Sequence, residues 1–175
     1  DGDLVRSCNG CDDSDEDCII ELNNGCLCCT VQDDFIPSIK SILNFNPGIE
    51  AIIIETSGLA LPLPLLQALN WPEIRPLIYL DIVICLINGE SMLEGSPIND
   101  LSEITNQYNE LNKIDHNESI NDLFEEQLEV SDLVLISRAD VLNEKEFKSI
   151  KNIIHKKISS TVPILKSLNG KMNLK

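Results

Sequence analysis

Short apolar runs, each ended by polar or glycine residues, recur along the chain and limit its possible folds more than any other feature. The longest covers residues 77–87 and is almost continuously apolar, with several Ile and Leu residues. A strand that is apolar at nearly every position is buried on both faces, so we expect a central strand of a parallel sheet here. Similar runs, each predicted to be a strand, cover residues 18–22, 51–54, 132–136 and 162–165.

Between these runs, apolar residues repeat every three or four positions, which is the spacing of one helix face. The first such segment is stopped by Asn46-Pro47-Gly48, and Ser119 and Asn143 are predicted N-caps of the second and third. A shorter helix is expected from Leu63, and a polar surface helix over residues 101–111. The three predicted apolar faces are Phe35, Ile36, Ile39, Ile42 and Leu43, then Ile120, Leu123, Phe124 and Leu128, then Phe147, Ile150, Ile154 and Ile158.

Alternation of buried strands with helices predicts an α/β fold with a doubly wound parallel sheet. The length of 175 residues suits one domain. The chain carries 29 acidic and 13 basic side chains, a net charge of −16, which argues against a nucleic acid or an anionic membrane surface as partner. With no bilayer-length apolar run and no secretory signal, we expect a cytoplasmic protein.

Three of the seven cysteines, Cys26, Cys28 and Cys29, lie within four residues, directly after an Asn-Gly turn. Thiolates bind metals, and the positive end of the helix predicted to begin at Thr30 favours the thiolate form. An extended loop would place Cys26 and Cys28 on one face, whereas a coiled loop would bring Cys26 and Cys29 together. Three thiols do not complete a tetrahedron, so another side chain or water must be the fourth ligand. This pattern predicts a site for a soft metal.

Other candidate ligands are weaker. Cys8 and Cys11 have CxxC spacing, but no second CxxC pair or pair of histidines accompanies them. Cys85 lies inside an apolar run and is predicted to be a small core residue. His116 and His155 have no nearby partners at metal-ligand spacing, so we expect them to be exposed.

Residues 21–30, Glu-Leu-Asn-Asn-Gly-Cys-Leu-Cys-Cys-Thr, match the ExxNGCxCCT signature of CobW-type P-loop GTPases. The match continues over residues 1–8, 55–62, 70–75, 115–127 and 131–134. The chain resembles the CobW branch more than the zinc-handling branch. The resemblance covers essentially the whole chain. It implies a P-loop NTPase-like fold, with residues 1–175 forming the central and C-terminal part of one GTPase domain.

The same resemblance assigns roles to individual residues. Cys26, Cys28 and Cys29 match the metal-binding thiols of the family. Glu55 matches the carboxylate that holds Mg²⁺ through water, and the N–H of Gly58 is expected near the terminal phosphate of GTP. Glu55 to Gly58 also directly follows a predicted strand, where open α/β sheets place their ligand-binding loops.

A second loop with an implied role follows the predicted strand 132–136. Asp140 matches the aspartate of the NKxD motif, whose carboxylate accepts the N1 and N2 hydrogens of guanine. The first two positions of that motif are Ser137 and Arg138 here, and Asn88 stands where the family usually has Asp. Ser is too short to replace the Asn amide, and the guanidinium is bulkier than the Lys stem that covers the base. Whether this loop selects guanine is therefore left open.

The phosphate-binding motif GxxxxGK[ST] is not found in the sequence, since Gly170-Lys171 is followed by Met172. In the family, the phosphate-binding loop lies N-terminal to the region that this chain matches. The first strand and the first helix of the domain lie there as well. The family also has a smaller C-terminal domain, which lies C-terminal to the region that this chain matches. We therefore expect a fragment that does not hydrolyse GTP unless an upstream segment supplies the phosphate loop.

The resemblance implies a GTP-dependent metallochaperone that holds cobalt(II) on its thiols and releases it on GTP hydrolysis, for cobalamin biosynthesis. A chelatase or another metalloprotein would receive the ion. Thiolates themselves favour zinc over cobalt, so only the closeness to the CobW branch favours cobalt. Two alternatives are a zinc-handling relative and a degenerate, non-enzymatic metal-binding or interaction protein.

Overall fold

The computed structural model describes residues 35–45, 47–56, 58, 60–94 and 120–172. These residues belong to two compact units. The first unit comprises the described residues up to Glu55 together with residues 64–79, and the second comprises residues 56–63 and those from Leu80 onward. The assignment of the whole chain to one GTPase domain stays a prediction. No helix in these described ranges is long and apolar enough to cross a membrane.

The first unit is built on helix α1, Ile36–Phe45, and on most of helix α2, Pro62–Leu69. Proline suits the first position of a helix because its missing N–H would have no intrahelical acceptor there. The predicted apolar face of α1 is confirmed, and the helix ends just before the turn at Pro47 and Gly48. The buried cluster of this unit is Phe35, Ile36, Ile39, Leu65, Ala68, Leu69 and Ile74.

The strand predicted at residues 51–54 is wrong. These residues lie outside any strand, Ile53 is 94% exposed and Ile54 is 39% exposed. Ile52 alone packs partly against the buried cluster of the first unit. A strand is stabilised by its ladder and by side chains on neighbouring strands, and no strand in the described part of the chain pairs with this segment. An apolar run indicates burial, but it does not identify the neighbour that would provide it.

The long run at residues 77–87 forms a strand only at its end. A turn comes first: the N–H of Leu77 donates to the carbonyl of Ile74 at 2.8 Å, and the N–H of Ile78 donates to the same carbonyl at 3.2 Å. These local bonds continue a series of turns that begins at Trp71. Strand β1 is Ile84–Asn88. The predicted strand is therefore confirmed for its last residues and wrong for the first seven.

The second unit contains a sheet of four strands among the described residues: β1, β2 (Leu133–Ser137), β3 (Ile164–Leu168) and β4 (Lys171–Met172), in that order. β1 pairs with β2 and β2 with β3 in parallel, whereas β4 pairs with β3 in antiparallel fashion. The predicted α/β class is confirmed. β1 was expected to be central, but it lies at the edge of the described sheet.

The predicted strand 132–136 is confirmed as β2, whose first four residues are buried. The strand predicted at 162–165 begins two residues later, as β3. Pro163 explains this shift, because a proline has no N–H to donate to a ladder. Its carbonyl still accepts from the N–H of Val134 at 3.0 Å.

Three described helices belong wholly to the second unit: α3 (Gly89–Leu93), α4 (Ile120–Glu129) and α5 (Glu144–Ile154). The predicted capping box of α5 is confirmed, since Asn143 and Glu146 bond each other's backbone N–H groups. Ser119, the predicted cap of α4, lies outside the described residues, as does the helix expected over 101–111. Strand and helix residues share one core: Ile87, Met92, Phe124, Leu128, Val134, Ile136, Ala139, Leu142, Ile150, Ile154 and Ile164.

Cys85 packs partly against this core, as predicted, and burial raises the pKa of its thiol to about 11. His155, predicted to be exposed, is half-buried at the C-cap of α5. Its Nδ1 atom is buried and has no hydrogen-bond partner among the described residues. His116 lies outside the described residues.

Candidate functional site

Two segments meet at the carboxyl ends of β1 and β2 in the second unit. The strands are in register up to their last residues, so Asn88 pairs with Ser137. β1 is followed directly by α3, which begins at Gly89, and the loop after β2 contains Arg138, Ala139 and Asp140. The carboxyl ends of parallel strands are the usual ligand-binding edge of an open α/β sheet. We call residues 88–91 and 137–140 the strand-end site.

Asn88 ends β1 and caps α3. Its Oδ1 atom accepts from the backbone N–H groups of Glu90 at 3.0 Å and Ser91 at 3.3 Å, which would otherwise lack partners at a helix start. Asn is among the best capping residues, and Asp is equally good. Asn88 therefore provides the cap that an Asp would also provide, without adding a negative charge to the strand-end site.

Gly89 allows the two segments to approach each other. A β-carbon at this position would lie 3.0 Å from the carbonyl oxygen of Ser137 and closer still to two side chains of the core. The hydroxyl of Ser137 donates to the carbonyl of Ile87 at 3.2 Å. These contacts tie the end of β2 to the end of β1 and fix the backbone from which Arg138 and Asp140 project.

Arg138 adopts a left-handed backbone conformation, with φ of 53°. Such a conformation is uncommon for a residue other than glycine, and conformations of this kind are found often at binding and active sites. The Arg138 guanidinium lies 2.9 Å from Oε2 of Glu90, and both side chains are about half exposed. An ion pair so exposed contributes little to stability. It places the guanidinium beside the first turn of α3.

Asp140 is exposed, whereas the adjacent Ala139 is buried in the core. The structure thus brings Ser137, Arg138 and Asp140 to one edge of the sheet and presents the Asp140 carboxylate to solvent. Their roles in binding a base stay predictions.

Glu55 and Gly58 are both exposed, and each is described within its own unit. Glu55 follows a segment that is not a strand, so the expected position at a strand end is not found. In the second unit, the carbonyl of Gly58 accepts a hydrogen bond of 3.0 Å from Nε2 of Gln127, on α4. Apart from Gly58 and its chain neighbours, no atom of the described residues lies within 4 Å of the position that a β-carbon of Gly58 would occupy. One side of this glycine is therefore open.

The predicted metal ligands Cys26, Cys28 and Cys29 lie outside the described residues, as do Cys8 and Cys11. Among the residues that the structure does describe, no group of three or more His, Cys, Asp or Glu side chains could hold a metal ion. The thiol site stays a prediction.

Sequence reasoning missed three residues of this region. Glu90 and Gln127 act across long sequence separations, and nothing in their local pattern indicates their partners. Ser91 is 1% exposed, and its hydroxyl has no hydrogen-bond partner among the described residues. Only the position of Glu90 and Ser91 directly after an apolar strand could have drawn attention to them.

Comparison with known proteins identifies the family. The model of the CobW/HypB/UreG nucleotide-binding domain matches residues 1–166. The chain belongs to the CobW/HypB/UreG family. The predicted resemblance and the P-loop-like α/β fold class are confirmed by this match. No solved structure matches the chain significantly.

Two relatives of this CobW-family chain are named zinc chaperone CobW. The relative from Sinorhizobium sp is 37% identical, and the match covers 98% of this chain and 48% of the relative. The relative from Pseudomonas aeruginosa is 34% identical, and the match covers 99% of this chain and 47% of the relative. A protein of Dictyostelium discoideum named zinc-regulated GTPase metalloprotein activator 1 is 26% identical over 90% of the chain and 33% of its own length. The chain thus spans about half the length of the first two.

Proposed function

We propose that the protein is a GTP-dependent metallochaperone of the CobW type, and that this chain contributes to both its nucleotide site and its metal site. The observation that carries the proposal is the match of residues 1–166 to the nucleotide-binding domain of the family. The names of the three relatives, which combine zinc, chaperone and GTPase, support it. A cytoplasmic location stays an expectation.

The strand-end site is the proposed base-binding edge. Asp140 presents an exposed carboxylate, the acceptor that the N1 and N2 hydrogens of guanine require. The Arg138 guanidinium, held by Glu90, would lie over the base as a planar cation. The Ser137 hydroxyl already donates to Ile87, so Ser137 supports the loop and Asp140 carries the choice of base.

The residues proposed for the phosphate side are Glu55 and Gly58. The exposed Glu55 carboxylate offers the oxygen ligands that Mg²⁺ prefers, through its bound water. The open side of Gly58 leaves room for a phosphate oxygen to approach the backbone. When bound, Mg²⁺ would neutralise charge on the phosphates of GTP. Glu55 would hold the ion, and Gly58 would contact the terminal phosphate.

Zinc is the proposed cargo, bound by Cys26, Cys28 and Cys29. Thiolates favour zinc over cobalt(II), and the first two relatives are named zinc chaperones. Cobalt(II), which the resemblance to the CobW branch led us to expect, is the alternative cargo. The recipient would be a chelatase or another metalloprotein client.

The proposal is tested by coupling between nucleotide and metal in the full-length gene product. Zinc is titrated with a non-hydrolysable GTP analogue, with GDP, and with neither, each in the presence of Mg²⁺. We expect the analogue to tighten zinc binding by roughly 5- to 150-fold, and zinc to tighten analogue binding by the same factor, because coupling is reciprocal. Glu55→Gln should weaken this coupling and leave nucleotide-free zinc affinity nearly unchanged.

Equal zinc affinity in all three titrations would favour the second candidate function, a non-enzymatic metal-binding protein. The replacement of Asn-Lys by Ser137-Arg138 is the observation that favours this candidate. The ligands and the metal are checked in the same protein, with cobalt(II) as a competitor and as a spectroscopic probe. Changing Cys26, Cys28 and Cys29 together to Ser should remove the thiolate-to-cobalt absorption, and changing Cys8 and Cys11 to Ser should preserve it.

A further inference from the structure

The side-chain amide of Gln127 binds two backbone carbonyls of the segment that contains Gly58. Its Nε2 atom donates to the carbonyl of Gly58 and to that of Ala60, both at 3.0 Å. An amide nitrogen carries two hydrogens, so this pair of bonds uses its full capacity as a donor. The two partners lie 69 and 67 positions away in sequence, within the same compact unit.

The helix that carries Gln127 is firmly anchored. Leu123, Phe124 and Leu128 of α4 are at most 9% exposed. Just after the helix, Ser131 donates to the carbonyl of Leu128 through both its N–H, at 3.1 Å, and its hydroxyl, at 2.7 Å. The backbone then enters β2. Gln127 is therefore fixed relative to the strand whose end bears Arg138 and Asp140.

The segment around Gly58 has weaker support of its own. Gly58 is exposed, no other described residue reaches the place where its side chain would be, and glycine has the largest backbone freedom of any residue. Holding a glycine in one backbone conformation has a cost in conformational entropy that favourable contacts must offset. In the second unit, the two bonds from Gln127 are contacts of this kind.

We propose that Gln127 is a positioning residue for the phosphate side of the nucleotide site. Its amide, bonded to the carbonyls of Gly58 and Ala60, fixes Gly58 in the position from which it would contact the terminal phosphate of GTP. The inference rests on the proposed function, since it takes Gly58 to contact that phosphate. Loss of the two bonds should weaken the binding of nucleotides that have a terminal γ-phosphate, and should spare GDP.

The substitution that tests this is Gln127→Met, which keeps the length of the side chain and removes both donors. In the full-length protein with Mg²⁺, we expect the affinity for a non-hydrolysable GTP analogue to fall about 5- to 50-fold while the GDP affinity changes less than about twofold. Gln127→Glu, which places a carboxylate against two carbonyl oxygens, should lower the analogue affinity at least as far. Gln67→Met, the same change at an exposed position of α2, is the matched control and should alter neither affinity.

A second measurement needs no nucleotide. Amide hydrogen exchange of the peptide covering residues 56–63 should be faster in Gln127→Met than in the wild type or in Gln67→Met, with thermal unfolding of all three measured alongside. An unchanged ratio of analogue to GDP affinity in Gln127→Met would overturn the positioning role. Equal losses of both affinities, accompanied by a lower Tm, would also overturn it and leave Gln127 a purely structural residue.

Failure of the proposed function has a different signature. A wild-type protein that binds neither GTP nor its analogue overturns the proposed function and the positioning role together, even where the exchange measurement shows that the bonds order the segment. A wild type that binds the analogue, with a variant that binds it equally well, overturns the positioning role alone.

Discussion

Gly89 lies so close to Leu142 that a β-carbon on the glycine would be 2.7 Å from Cδ1 of the leucine. The same β-carbon would lie 2.8 Å from Cγ2 of Ile136. Both neighbours are buried in the core of the second unit, so neither can move away without disturbing other side chains. The end of β1 can therefore meet the loop after β2 only if residue 89 has no side chain.

Gly89→Ala should lower the free energy of unfolding by about 1–3 kcal/mol, the usual cost of inserting a methyl group into a packed core. Gly58→Ala is the matched control, because its added methyl would meet none of the other described residues within 4 Å, and it should change stability by less than about 0.5 kcal/mol. Urea unfolding of the two variants and the wild type measures both effects. A similar loss in both variants would show that the close approach at Gly89 is not limiting.

The start of the β1–β2 pairing depends on Asp132. Its Oδ2 atom accepts from the N–H of Val83 at 2.8 Å, and its own N–H donates to the carbonyl of Val83 at 2.9 Å. Asp132→Ala should lower the free energy of unfolding by about 1 kcal/mol, and Asp132→Asn, which keeps an acceptor, by less. Asp81→Ala, at an exposed aspartate nearby, is the control, and chemical unfolding measures all three. If the alanine variants at 81 and 132 were equally stable, the side-chain bond would contribute nothing.

The buried thiol of Cys85 predicts a loss of stability in alkali. Burial raises its pKa from 9.0 to about 11, so between these pH values the unfolded chain has lost a proton that the folded chain still holds. The unfolded state then binds fewer protons than the native state, and stability falls as pH rises. Across this range, the wild type should lose about 1–3 kcal/mol more than Cys85→Ala. Denaturant unfolding at pH 8.5 and above measures the difference, and superimposable pH profiles would contradict it.

Asp140 should carry the discrimination between guanine and adenine nucleotides. Asp140→Ala removes an acceptor of charge-assisted hydrogen bonds, so the preference for GTP over ATP in the full-length protein should fall by about tenfold or more. Competition of ATP against a labelled GTP analogue measures the preference, and Asp81→Ala again serves as control. The double change Ser137→Asn and Arg138→Lys, which restores the family motif, should raise the preference. An undiminished preference in Asp140→Ala would place the base elsewhere.

Several elements were predictable because their signals are local. The capping box at Asn143 and Glu146, the apolar face of α5 and the stop of α1 before Pro47 involve residues at most four positions apart. The apolar segment of β2 was also recognisable, since every one of its buried positions contributes to one run. In each case, the interaction that decides the structure is visible within a few residues.

The failures share a different cause. Whether residues 51–54 form a strand depends on a pairing partner, which the sequence does not identify. In the run 77–83, the N–H groups of the first two residues donate to the carbonyl of Ile74 and form a turn instead of a strand. For the candidate site, the resemblance to the NKxD motif drew attention to Ser137, Arg138 and Asp140, but no signal in the sequence indicated Glu90 or Gln127. Glu90 pairs with Arg138, which lies 48 positions away, and Gln127 bonds Gly58, which lies 69 positions away. Only the fold brings these residues together.

The parallel pairing of β1 with β2 has a consequence for how the gene can change. The two strands are held at both ends, by Val83 with Asp132 and by Ile87 with Ser137, in addition to the ladder between them. A mutation at residue 132 or at residue 137 that removes one side-chain bond leaves the other bond and the ladder in place. The gene can therefore lose either bond at a cost in stability of about 1 kcal/mol without a change in the register of the two strands.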